Sequence, residues 1–222
     1  MAEKRFIDMN SWARAEHYRH FTENGPCAIS LADDIDVTAL YAACKSAGQS
    51  FYIACLWTVS AVVNAHEEFR LTEADSPDSP LPLPAVWDEV HPVHNVFHPE
   101  NETYTALFTL WSPEYSVFAE RAAEDIARAK SLSCMSVPAP ENVFEASCVP
   151  WRHFTSVGVE TGDLSLSPVI AWGGFRLEGE RVKMPLSISI SHAAADGYHL
   201  ARFLNEVERE GEALARRIGG SL

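Results

Sequence analysis

Basic residues are scarce in this chain: 17 lysines and arginines stand against 31 aspartates and glutamates, a formal net charge of −14 over 222 residues. Nucleic-acid binding needs clustered Lys and Arg to neutralise phosphates, so DNA and RNA are not expected partners. An anionic ligand must find a local basic group or a helix terminus. Long apolar runs are lacking too. The longest, Phe51 to Val63, is broken by Thr58 and Ser60 and falls short of the ~20 residues that cross a bilayer. It reads as a buried helix, and no membrane association is expected. Met1 to Trp12 has no apolar core of the secretory kind, which predicts a cytoplasmic protein. The five cysteines, Cys27, Cys44, Cys55, Cys134 and Cys148, are odd in number, scattered and never spaced C-x-x-C. They support neither a disulfide framework nor a zinc site, and read as reduced thiols.

The composition present, 47% hydrophobic and 10% aromatic, is that of a globular protein with a sizeable core. No internal repeat is visible, and residues 1–222 read as one domain. The one biased segment, Ser76 to Pro84, carries Pro77, Asp78, Pro80, Pro82 and Pro84 and predicts a surface loop between two strands.

Apolar spacing predicts helices over Thr38–Ala47, Gln49–Glu68, Ser116–Lys130 and Tyr198–Ile218. Strand signals cover Val86–Val90, Asn95–Phe97, Tyr104–Leu110 and Val143–Cys148. A hairpin follows, with Val169–Leu177 and Arg181–Ser191 flanking Glu178-Gly179-Glu180. Its second arm alternates Leu186, Ile188 and Ile190 with Ser187, Ser189 and Ser191; extending that period places His192 on the apolar face. Helices before and after mostly antiparallel strands predict an α+β fold, a two-layer α/β sandwich with a mixed, mostly antiparallel sheet. His91, His94 and His98 have helical spacing, but Pro92 and Pro99 argue against a helix there, and the loop is expected to be metal-free.

A histidine at a strand end, four residues before an aspartate that opens a helix, is a rigid position for a base. A neutral imidazole, with an ordinary pKa near ~6.5, can take a hydroxyl proton near neutral pH. Pattern alone favours a core histidine satisfied by backbone groups for His192 and an N-cap for Asp196, and capping and function can coexist.

The run Ser191-His-Ala-Ala-Ala-Asp-Gly-Tyr-His-Leu-Ala-Arg-Phe-Leu204 resembles the H-x-x-x-D-G segment of chloramphenicol acetyltransferases and, more loosely, of dihydrolipoamide acyltransferase catalytic domains. Further matches follow in the same order: Trp12 to His17, Pro26 to Leu31, Val86-Trp87-Asp88, Val96-Phe97-His98, Glu102 to Leu107, Pro140-Glu141-Asn142 and Ser147 to Trp151. The resemblance spans nearly the whole chain. It implies a CoA-dependent acyltransferase-like fold, with acetyl-CoA as co-substrate, a small alcohol such as chloramphenicol as acceptor, and no metal. It implies a homotrimer whose active sites lie between subunits.

By the same resemblance His192 is the general base, Ser147 supplies the hydroxyl that stabilises the tetrahedral oxyanion, and Arg14 pairs with Asp196 to hold the histidine loop. Without it, Ser147 is a strand serine bonded to backbone and Arg14 a solvated residue. The acceptor pocket falls on Phe21, Gly25, Cys27, Ile29, Tyr104 and Val159, and Phe175 on the CoA nucleotide. Phe21, Gly25 and Ile29 replace a tyrosine, a leucine and a phenylalanine of well-studied members, which puts chloramphenicol itself in question as acceptor. A water-holding threonine becomes Ala171, and a lysine and a tyrosine near CoA become Gly174 and Phe175. Two further readings stand beside this one: a lipoyl-to-CoA acyltransferase, and a non-catalytic ligand-binding protein on the same fold.

Overall fold

The computed structural model describes residues 2–76, 79–158 and 165–220. In chain order the elements are β1 (Lys4–Phe6), α1 (Ala15–Arg19), which runs into a π-helical turn over His20–Asn24, β2 (Ala28–Asp36), α2 (Thr38–Ala47) and α3 (Phe51–Ala65). There follow β3 (Leu71–Ser76), β4 (Ser79–Trp87), β5 (His91–His98), β6 (Thr103–Phe108) and α4 (Tyr115–Ala129). The chain closes with β7 (Val143–Val149), β8 (Val169–Gly173), β9 (Arg176–Glu178), β10 (Arg181–Ser191) and α5 (Gly197–Gly219). Among the described residues no helix is long and apolar enough to cross a membrane.

The large sheet has strand order β2-β10-β8-β7-β5-β6, with β9 paired to β10. Only β5–β7 and β7–β8 are parallel, so the sheet is mixed and mostly antiparallel. Leu186, Ile188, Ile190, Phe144, Ala146, Ile170 and Trp172 turn to one face and share a core with Leu56, Val59, Val63, Leu200, Phe203 and Val207 of α3 and α5. Helices on one face of a mixed sheet give the two-layer α+β sandwich that the spacing predicts.

Local chemistry sets the element ends. The Ser50 hydroxyl accepts the Ile53 N–H at 3.3 Å and starts α3. Gly48 ends α2 at φ 65°, a left-handed conformation that glycine enters without a Cβ clash. In α3, Thr58 and Ser60 do not interrupt burial, because their hydroxyls donate to the carbonyls of Ala54 and Leu56 at 2.8 and 2.7 Å. Their polarity is absorbed within the helix.

Several sequence expectations are corrected. The helix expected to reach Glu68 ends at Ala65, where His66 turns extended. The strand expected over Val86–Val90 is displaced: β4 ends at Trp87, and Val90 is held at both its N–H and its C=O by the Asn64 amide instead. Of the segment expected to be a loop, Ser76 ends β3 and residues 79–84 belong to β4, which pairs with β1 and β3 in a second, three-stranded sheet, while residues 77–78 lie outside the described residues. Prolines fit there by position. The Pro84 carbonyl accepts from Ile7 N–H on the β1 side, so Pro82 and Pro84 direct their missing donors away from β3.

The serine face of β10 is buried as well as its apolar face. Ser187, Ser189 and Ser191 are all under a tenth exposed. Ser187 donates to Val157 O at 3.2 Å, and Ser189 bonds to Ser30 at 2.7 Å.

His91, His94 and His98 lie on β5, each with separate partners. Trp111 N–H donates to His91 Nδ1, Tyr52 and Thr109 flank His94 at 3.0 Å each, and Thr105 bonds to His98 at 2.9 Å. Among the described residues no group of three or more His, Cys, Asp or Glu is placed to hold a metal ion.

Candidate active site

His192 lies one residue past β10. The strand period does not carry its ring into the core, because the chain turns as Ala194 and Ala195 N–H groups fold back onto Ser191 O. The backbone N–H of His192 donates to Cys27 O at 2.9 Å, which ties the loop to the start of β2. The ring, half-buried, stacks on Phe21 with centroids 3.9 Å apart and planes 6° from parallel. Its Nδ1 lies 3.1 Å from Ala195 O. A carbonyl can only accept, so Nδ1 carries the proton in the neutral ring and Nε2 keeps its lone pair. The imidazole is thereby fixed in orientation and tautomer.

Asp196 caps α5 and fastens that loop from below. One carboxylate oxygen accepts Tyr198 N–H at 3.1 Å and lies 2.9 Å from His199 Nδ1. The other accepts Arg14 Nη1 at 2.8 Å, and Arg14 Nη2 reaches His192 O at 3.4 Å. Burial alone would raise the Asp196 pKa, but the hydrogen bonds from Arg14 and His199 outweigh it and hold the carboxyl at about 2. Capping and ion pairing are thus performed by one side chain. Arg14 Nε is buried without a hydrogen-bond partner among the described residues.

Ser147 sits on β7 with Ala171 of β8 and Ser187 of β10 in one row across the sheet. His192 is two strands over and five residues further along β10. At ~3.3 Å per residue and ~4.8 Å per strand, Ser147 and His192 of one chain are roughly 19 Å apart. The residues expected to line the acceptor pocket divide in the same way. Phe21, Gly25, Cys27 and Ile29 gather at the β2 edge beside His192, with Ile29 opposite Ile190. Tyr104, 44% exposed, lies on β6 at the opposite edge, about 24 Å away by strand spacing. Val159 falls outside the described residues.

Phe175 follows β8 and is 42% exposed. Its ring meets Tyr41 at 4.8 Å and Phe51 at 6.1 Å, an aromatic shelf with one open side. Gly174 has no room for a side chain: a Cβ there would sit 2.7 Å from Pro150 O. Ala171 places a methyl group between Ser147 and Ser187.

Sequence reasoning missed the contacts made by backbone. Nothing in the residue types announces that Ala195 O and Cys27 O hold His192. It also missed His199, although a partner three residues after an N-cap is a recognisable capping spacing.

Comparison with known proteins gives one consistent result. The family model "CAT: Chloramphenicol acetyltransferase" matches residues 3–208. The chloramphenicol acetyltransferase of Streptomyces acrimycini is 37% identical over 207 residues, covering 91% of each chain. That of Proteus mirabilis is 32% identical over 206 residues, covering 91% of this chain and 92% of the other. Among solved structures, a chloramphenicol acetyltransferase superposes with a TM-score of 0.77 at 22% identity, over 94% of this chain and 99% of that one. The cubic core of a pyruvate dehydrogenase multienzyme complex superposes with a TM-score of 0.63 at 16% identity, over 92% and 88%. The last two comparisons concern fold alone.

Proposed function

The chain belongs to the chloramphenicol acetyltransferase family, a family of acyltransferases, and on that footing we propose that it transfers the acetyl group of acetyl-CoA to a hydroxyl of chloramphenicol or a related small alcohol. The observation that carries this reading is the lock on His192: Nδ1 against Ala195 O, the ring flat on Phe21, and the loop tied to Arg14 through Asp196.

The free lone pair on Nε2 takes the acceptor's hydroxyl proton while the alcohol oxygen attacks the thioester carbonyl carbon. The carbonyl electrons move onto oxygen, and the Ser147 hydroxyl donates to that oxyanion. Collapse of the tetrahedral intermediate breaks the carbon–sulfur bond, and the departing thiolate recovers the proton from Nε2. The products are the O-acetyl ester and CoA. Phe175, with Tyr41 and Phe51, offers an aromatic face on which the adenine of CoA can stack.

Ser147 of one chain is too distant to serve His192 of the same chain. The family resemblance implies a trimer, and the separation of the two residues supports active sites built between copies, with His192 of one protomer facing Ser147 of the next.

A thiol-release assay with acetyl-CoA and chloramphenicol or other hydroxylated acceptors tests the reading. His192→Ala is expected to lose at least about a hundredfold in kcat while keeping the circular dichroism of the native protein. Undiminished turnover by that variant would rule out the mechanism.

A further inference from the structure

Glu145 precedes Ser147 by two residues on β7, so both side chains point to the sheet face that no helix covers among the described residues, about 7 Å apart. Glu145 lines a cleft of about 940 Å³, together with Pro26, Arg70, Glu73, Glu141 and Val169. Pro26 adjoins Cys27, whose carbonyl holds His192. The cleft takes in Pro26 before β2 and Val143 to Glu145 of β7, while His192 and Ser147 are not among its lining residues.

The other charged groups in the cleft have partners, although Arg70 Nε is buried without one among the described residues. Arg70 donates to the carbonyls of Trp87 and Asp88, Glu73 accepts from Tyr18 OH at 2.8 Å, and Glu141 pairs with Lys4 at 3.4 Å. No ion pair or side-chain hydrogen bond reaches the Glu145 carboxylate among the described residues, and burial alone raises its pKa. Its carboxylate nevertheless remains open to the cleft. Glu145 is exposed, and a carboxylate without a counter-charge attracts a cationic acceptor and not a neutral one.

We propose that Glu145 is a specificity residue: the alcohol acetylated by this chain carries a cationic amine that pairs with the Glu145 carboxylate beside the reacting hydroxyl. The assignment rests on the acyl-transfer reading and deepens it.

Two acceptors with the same aromatic diol test it: chloramphenicol, whose nitrogen is a neutral amide, and 2-amino-1-(4-nitrophenyl)propane-1,3-diol, whose nitrogen is a free amine. Values of kcat/KM come from CoA release at neutral pH, with O-acetyl and N-acetyl products separated by chromatography. The wild type is expected to favour the amine. Glu145→Gln is expected to reduce the amine-to-chloramphenicol ratio by about tenfold or more, chiefly through KM, and Glu145→Lys to reduce it further. A ratio equal in wild type and Glu145→Gln overturns the proposal. So does a Glu145→Gln protein that sediments as a smaller species than wild type, because the carboxylate then pairs between copies. Turnover of neither acceptor by the wild type sinks the acyl-transfer reading and this assignment with it, whereas turnover of both at an unaltered ratio sinks this assignment alone.

Discussion

Replacing Arg14 by methionine keeps much of the side-chain stem but removes both the ion pair to Asp196 and the donor to His192 O. Breaking a fully buried pair by removing one partner costs roughly 3–5 kcal/mol. Here the Arg14 side chain is 16% exposed and Asp196 34% exposed, so water compensates part of the loss. Proton linkage gives a second measure. The Asp196 pKa is held at about 2 in the folded protein against an ordinary 3.8, which is worth ~2.4 kcal/mol at full effect. Solvent screening of a carboxylate one-third exposed reduces that to about 1–2 kcal/mol.

The depressed pKa sets the sign: the contribution is complete above pH 3.8 and is lost as pH falls through about 2. The partner variant is Asp196→Asn, because asparagine still caps the helix and only the charge is lost. Urea denaturation of wild type, both single variants and the double variant, at one fixed protomer concentration, closes the cycle. Near pH 7 the Arg14→Met variant is expected to lose about 1–2 kcal/mol, with a coupling energy of about 1 kcal/mol. Its kcat is expected to fall about ten- to a hundredfold, since the same loop supplies the Ala195 carbonyl that orients His192. Additive single-variant effects, or undiminished kcat in Arg14→Met, would refute the argument that this pair positions the base.

Three other outcomes follow from the geometry. Ser147→Ala is expected to lower kcat by about 10²–10³ with little change in the KM for acetyl-CoA, as removal of one oxyanion donor does; steady-state kinetics decide it, and a change confined to KM counts against the oxyanion role. Refolding Ser147→Ala together with His192→Ala is expected to restore activity from two inactive proteins, with about one site in four intact on random mixing; a mixture as inactive as its components would show that the site is not shared. Burial holds the His94 pKa at about 4 against 6.5, so its neutral form contributes stability that is full above pH 6.5 and is lost as pH falls toward 4, about 3 kcal/mol in all. Urea midpoints at pH 7 and pH 5 are expected to differ less in His94→Gln than in the wild type, and equal differences would contradict that assignment.

Much of the secondary structure was legible because its signals are local. The alternation of Leu186, Ile188 and Ile190 and the spacing of Leu200, Phe203, Leu204 and Val207 each describe one element's buried face. The small sheet was not legible. Prolines read as loop by propensity, and only the chain's pairing shows that β4 turns Pro82 and Pro84 away from its neighbour β3. The burial of the serine face of β10 was not legible for a related reason: alternation distinguishes two faces but does not reveal what covers the polar one.

The motifs that carry the family resemblance lie in the sequence, and through them His192, Ser147, Arg14 and Asp196 stood out as candidates. The distances between them were not legible there. The Arg14–Asp196 contact joins residues 182 apart in sequence, and the sheet register alone decides that Ser147 lies with Ala171 and Ser187, far from its own chain's histidine. The tautomer of His192 depends on a carbonyl, a group every residue possesses, so only folding can select which one it meets.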